Sequence, residues 1–168
     1  MQRFGLVMLA ALAIGAAPAG AVKAPATGLA SFDQLKKPLP LPYDETANAE
    51  AVVSAALTRA KANHKLLLID LGGNWCADCR ILAGVLEVPA IDAFVRRHYE
   101  IVSVDIGRMD KNQQIPARYG IQRLEGVPAL LVIDPRTGKL INAGHVSALA
   151  DARHMSPQAL ADWLAQWV

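Results

Sequence analysis

The run Leu66-Leu-Leu-Ile-Asp-Leu-Gly-Gly-Asn-Trp-Cys76-Ala-Asp-Cys79-Arg80 holds both cysteines of the chain. It narrows the fold more than any other stretch. An apolar, strand-like segment stops at two glycines and hands Trp75-Cys76-Ala77-Asp78-Cys79 to the start of a helical pattern. One sulfur then sits at a helix N-terminus, where unpaired N–H groups and the helix dipole favour a thiolate. A thiolate with a second cysteine three residues on can attack a disulfide and be released by its neighbour. The chemistry indicated is thiol–disulfide exchange. A static staple is the poorer reading, because chain-entropy stabilisation grows with loop length and this loop is very short.

Around this motif, 168 residues at 53% hydrophobic content allow one domain with a substantial core. Part of that content lies in a leader. Met1-Gln-Arg3 is a short cationic start, Phe4 to Ala17 is apolar, and Pro18 breaks the run before the small residues Ala19-Gly-Ala21. The pattern predicts a cleaved secretory signal over residues 1–21 rather than a membrane anchor. The C-terminal Gln-Trp-Val shows no retention signal, so a periplasmic or secreted product in an oxidising compartment is expected. The net charge of +2, with no basic run interleaved with aromatics, argues against nucleic acid as a partner.

Residues 22–43 are rich in Ala and Pro, with Pro38-Leu-Pro40-Leu-Pro42 near a polyproline rhythm, and read as an extended linker. The domain proper is predicted over 44–168. Tyr43-Asp44-Glu45-Thr46 reads as helix-start chemistry ahead of Val52, Val53, Ala56, Leu57 and Ala60 at helical spacing, ending near Asn63. Leu66–Leu71 is a predicted buried strand. A helix follows from Cys76 to about Glu87, and Pro89 restarts helical spacing through Ile91, Phe94 and Val95. Glu100–Ile106 and Ala129–Asp134 are predicted strands, with a short helix at Ile115–Tyr119 between them. Asp134-Pro-Arg-Thr-Gly138 turns the chain into a returning strand over Lys139–Ala143. Ser156-Pro157 opens a last helix through Leu160, Trp163, Leu164 and Trp167. This order describes an α/β fold with a central mixed sheet flanked by helices.

With these elements in place the chain resembles the thioredoxin superfamily over roughly residues 45–168. Three features carry the resemblance: Trp75-Cys76-x-x-Cys79 after a strand, Asp70 on that strand, and Gly126-Val127-Pro128 just before a strand and hairpin. It implies that Cys76 is the attacking thiol and Cys79 the buried resolving thiol. It also implies that Asp70 exchanges a proton with Cys79, and that Val127 and a cis Pro128 present backbone to an extended substrate. Trp75 is expected to cover the site. A buried carboxylate such as Asp70 needs partners or a raised pKa in any case. No cofactor is implied. The partners implied are proteins carrying disulfides and, for a reductant working in an oxidising compartment, a membrane electron donor.

Departures from the family pattern bear on the direction of the reaction. Ala77-Asp78 stands between the cysteines, and a carboxylate beside the thiolate makes the disulfide harder to reduce. That favours an exported reductase or isomerase over an oxidase, with Arg80 as a partial offset. The lysine that the family places near the buried carboxylate is replaced, with Ile101 taken as the aligned position. His145, Arg153 and His154, in the long 144–155 connection, read as surface residues. No dimerisation segment is visible, which favours a monomer. A copper chaperone on the same fold is the alternative, since two thiolates suit Cu(I); the spacing and the lack of a dedicated histidine weigh against it, and no metal site is predicted.

Overall fold

The computed structural model describes residues 22–168; the predicted signal segment lies outside them. Among the described residues no helix is long and apolar enough to cross a membrane. The elements run α1 (Ala49–Ala62), β1 (Leu66–Gly72), α2 (Ala77–Leu86), α3 (Pro89–His98), β2 (Tyr99–Asp105), α4 (Gln114–Ala117), β3 (Ala129–Asp134), β4 (Lys139–Leu140) and α5 (Pro157–Ala165). Single 3₁₀ turns lie at Phe32–Gln34 and Ala152–His154. The sheet order is β2-β1-β3-β4. β1 pairs in parallel with β2 and antiparallel with β3, and β4 returns antiparallel on β3. The expected α/β class with a mixed sheet is therefore present.

Both central strands are apolar because both faces of the sheet are covered. On one face Ala49, Val53, Ala56 and Ala60 of α1 pack with Leu67, Ile69, Leu71, Leu131 and Ile133. On the other, Leu82 and Val85 of α2, Ile91 of α3 and Leu160 and Leu164 of α5 enclose Leu68, Leu130 and Val132. Each fully buried Leu or Ile contributes about 1.5–3 kcal/mol. This arrangement holds the C-terminal end of β1 in place at the mouth of the fold.

Two boundaries differ from the sequence expectation for identifiable reasons. The α1 cap is Asn48, whose side chain accepts from the Ala51 N–H, while Asp44 closes a separate turn onto Thr46. Tyr43 is consequently outside the helix. The return strand stops at Leu140 rather than Ala143. Beyond it the buried Asn142 side chain accepts from Val132 N–H and donates to Leu130 C=O, at 2.9 and 2.8 Å, replacing ladder bonds with an amide.

Residues 22–43 are irregular apart from the 3₁₀ turn at Phe32–Gln34, and they lie along the domain. Thr27 N–H donates to the Gln158 side chain, whose amide donates to Pro25 C=O. Leu35 is buried, and Leu35 and Leu39 face Gly84 closely enough that a Cβ there would lie 3.2 Å from each. The Arg80 guanidinium donates to Leu39 C=O and Pro40 C=O at 2.9 and 3.2 Å. The Lys37–Pro38 peptide is cis.

Candidate active site

β1 delivers Asp70 and Gly72 to the sheet mouth, and the chain turns through Gly73-Asn74-Trp75 into α2. Cys76 is the helix N-cap, with its Sγ accepting the Cys79 N–H at 3.1 Å. The two cysteines are joined as a disulfide. Cys76 is 5% exposed and Cys79 fully buried, so the N-terminal sulfur is the reachable one. A thiolate formed at Cys76 meets the Cys79 N–H that the disulfide sulfur already engages, at the positive end of the helix dipole.

Across from the sulfurs stands the loop before β3. The Val127–Pro128 peptide is cis, and Val127 C=O lies 3.6 Å from Cys76 Sγ. Val127 thus meets Cys76 through its carbonyl, with the cis Pro128 next in the chain. Trp75 is 45% exposed; its indole N–H donates to Gly107 C=O at 2.7 Å, and the Arg108 guanidinium lies 4.7 Å from the ring centre. The ring is thereby anchored to the connection after β2, at the rim of the site.

Asp70 is almost entirely enclosed. Its Oδ1 accepts from the Tyr43 hydroxyl at 2.9 Å and its Oδ2 from Ser103 at 3.5 Å. Burial pushes the carboxyl up to about 7, against the opposing pull of those two bonds. In the register of β1 and β2, Asp70 stands opposite Ser103, while Ile101 stands opposite Leu68. The residue replacing the family's lysine beside the carboxylate is therefore Ser103, and the assignment to Ile101 is corrected: it was two positions off, a displacement that keeps a residue on the same strand face.

Asp78 lies in the first turn of α2 and is buried, but it does not stand alone. Arg153 donates to it through its backbone N–H at 2.8 Å and through Nε at 3.0 and 3.1 Å, with Nη2 closing the pair. Burial works against the Asp78 charge, yet the Arg153 bonds and charge prevail and hold the carboxyl below its usual range. The surface reading of Arg153 holds, since its side chain is half exposed, but its donors are committed to Asp78 of the active-site helix, a pairing the sequence did not indicate. His145 and His154 are exposed, as expected. Arg80, assigned an offsetting charge beside the thiolate, spends its guanidinium on the Leu39 and Pro40 carbonyls.

The 144–155 connection also backs the proline loop. Ser147 donates to Gly126 C=O at 3.1 Å, and Leu130 N–H donates to Val146 C=O at 2.8 Å. Two residues of the site, Tyr43 and Arg153, escaped sequence reasoning. Each lies far along the chain from its carboxylate, and no spacing links them. The sequence signal is Asp70 in apolar surroundings, a carboxylate in need of a partner; Asp78 reads only as a charge beside the thiolate.

A thioredoxin-like family model matches residues 48–135, just over half the chain. The chain belongs to the thioredoxin-like family. A disulphide isomerase from Xylella fastidiosa Temecula1 shares the fold with a TM-score of 0.69 at 40% identity, covering 76% of this chain and 96% of that one. Thioredoxin of Bacillus subtilis (strain 168) is 31% identical over 74 residues, 44% of this chain and 64% of its own length. Thioredoxin of Acidithiobacillus ferridurans is 34% identical over 89 residues, 53% of this chain and 72% of its own. Within this thioredoxin-like chain, Tyr43 and Arg153 both fall outside the matched 48–135 segment.

Proposed function

We propose that this thioredoxin-like protein is a thiol–disulfide oxidoreductase acting on protein disulfides outside the cytoplasm, as a reductase or isomerase rather than an oxidase. The observation that carries the reading is the Cys76–Cys79 disulfide at the N-terminus of α2, 3.6 Å from Val127 C=O and beside a cis proline, with a buried carboxyl on the adjoining strand.

The reaction in the reducing direction follows from that geometry. The Cys76 thiolate attacks one sulfur of a substrate disulfide, forming a mixed disulfide and expelling the other substrate sulfur as a thiolate. The Cys79 thiol passes its proton to the Asp70 carboxylate, and the sulfur attacks Cys76. The Cys76–substrate bond breaks, the second substrate sulfur departs and is protonated, and two electrons have left the dithiol. A group near pH 7 suits Asp70 to accept and return that proton. The Val127 carbonyl, beside the Cys76 sulfur, offers a backbone edge for an extended substrate segment.

Export is supported by the cationic start and apolar run of residues 1–21. A membrane electron donor is the partner this reading requires, and a monomer suffices for it. The preference for reduction or isomerisation rests on Asp78 between the cysteines and on the 40% identity to the Xylella disulphide isomerase. Arg153 tempers the Asp78 argument, because a paired carboxylate opposes a nearby thiolate less than a bare one. The deciding measurement is the reduction potential of Cys76–Cys79. A value near about −270 mV supports a reductase, and one near about −180 mV an isomerase. A value near about −120 mV, that of a strong oxidant, overturns the preference.

A further inference from the structure

The Asp70 carboxyl has one short hydrogen bond, and it comes from the arm. Tyr43 is buried, and its hydroxyl donates to Asp70 Oδ1 at 2.9 Å. The other donor, Ser103, is farther off, at 3.5 Å. Tyr43 is clamped from both sides of its own backbone: its N–H donates to the Asn74 side-chain carbonyl at 3.2 Å, and the Asn74 amide donates to its C=O at 2.8 Å. Asn74 is the residue before Trp75, so the active-site loop itself holds the tyrosine in place. The ring and the resolving sulfur both close on Gly72. A Cβ built on Gly72 would lie 2.6 Å from Tyr43 Cζ and 2.8 Å from Cys79 Sγ, so glycine at 72 is what lets both approach β1.

We propose that Tyr43 is a positioning residue for Asp70: its hydroxyl orients the carboxyl toward the site and sets the pH at which Cys79 is activated. The proposal rests on the thiol–disulfide exchange reading above. A donor on Oδ1 stabilises the carboxylate relative to the acid, so the base that receives the Cys79 proton is available at lower pH than burial alone would permit. The surroundings leave few competitors. From α2 the groups are Cys76 and Cys79, joined as a disulfide in the oxidised protein, and Asp78, paired with Arg153; from β2 the charged group is Asp105, paired with Lys111 at 3.0 Å. From β3 the residue opposite Asp70 is Leu130, and α1 contributes Ala49, Val53 and Ala56 to the neighbouring core. A buried phenol beside a carboxylate is itself pushed up, by burial first and the Asp70 charge second, so Tyr43 stays a neutral donor throughout.

Tyr43→Phe removes the donor and keeps the ring. The test is a carbon-detected NMR titration of the Asp70 carboxyl in the oxidised full-length protein. The expected result is a midpoint raised by about one pH unit or more. Asn74→Ala, which frees the tyrosine backbone, should move it the same way by less. In kinetics, the variant is followed by release of 5-thio-2-nitrobenzoate from its mixed disulfide with Cys76. Below the midpoint that release should slow about tenfold for each pH unit by which the midpoint rises, and it should converge with wild type above about pH 9. In the Asp70→Asn background, Tyr43→Phe should change neither rate nor profile. An unmoved midpoint in both variants overturns the proposal, as does a Tyr43→Phe effect that persists without Asp70. The functional reading falls separately, if Cys76→Ser leaves disulfide exchange intact; the Asp70 midpoint, measured without turnover, still decides the role of Tyr43.

Discussion

Replacing Asp70 by Asn should make the oxidised protein more stable, and increasingly so as pH rises. The folded state holds this carboxyl near 7 because burial penalises its charge, whereas an unfolded chain leaves it near 3.8. Between those values the folded state binds the proton that the unfolded state has lost, so stability is full below about pH 3.8 and declines as pH rises through 7. The gap between the two values corresponds to about 4 kcal/mol above about pH 8, an upper figure because water enters imperfectly closed sites. Asparagine keeps an acceptor for the Tyr43 hydroxyl, turns an amide NH2 toward the Ser103 hydroxyl, and has no charge to bury. Urea unfolding of the oxidised wild type and the variant at about pH 4 and about pH 8.5 measures the effect. The expected gain is small at the acidic end and several kcal/mol at the alkaline end. A gain equal at the two pH values, or none at the higher one, would show that Asp70 does not ionise at a penalty inside the fold. The same substitution should slow the Cys79 step at neutral pH, so stability and activity move in opposite directions.

Other substitutions probe the remaining contacts. Arg153→Met leaves Asp78 unpaired in the first turn of α2 and should move the Cys76–Cys79 potential more negative, on the order of 30 mV for about 1.4 kcal/mol of charge–thiolate repulsion; a glutathione or thioredoxin equilibrium reads it, and Asp78→Asn should move it the other way. Gly72→Ala forces a methyl against Tyr43 and Cys79 and should cost about 1–3 kcal/mol in denaturant unfolding. Asn142→Ala orphans the Val132 N–H and Leu130 C=O and should cost on the order of 3 kcal/mol, with faster amide exchange at Val132. Arg80→Met frees Leu39 and Pro40 and should open residues 36–42 to limited proteolysis while α5 stays protected.

Much of this protein is written in local patterns. The apolar run before the glycines determines a buried strand, and Cys76 as N-cap follows from the helical spacing behind it. Pro89 and Ser156-Pro157 mark helix starts that the structure places at those residues. The order of elements and the Cys76–Cys79 pair at a helix start follow from short-range spacing, because a strand, a turn and a helix dipole are properties of a few consecutive residues; Asp70 and Pro128 join them only through the resemblance to the thioredoxin superfamily. Three things were decided only when the chain closed. The sheet register put Ser103, not Ile101, beside Asp70. The 22–43 arm, whose composition reads as a spacer, brought Tyr43 onto Asp70 from 27 positions away. The 144–155 connection returned Arg153 to Asp78 across 75 positions. A buried carboxylate announces that it needs a partner, but the partner is chosen by three-dimensional proximity, and nothing in the periodicity of a sequence encodes which distant side chain arrives.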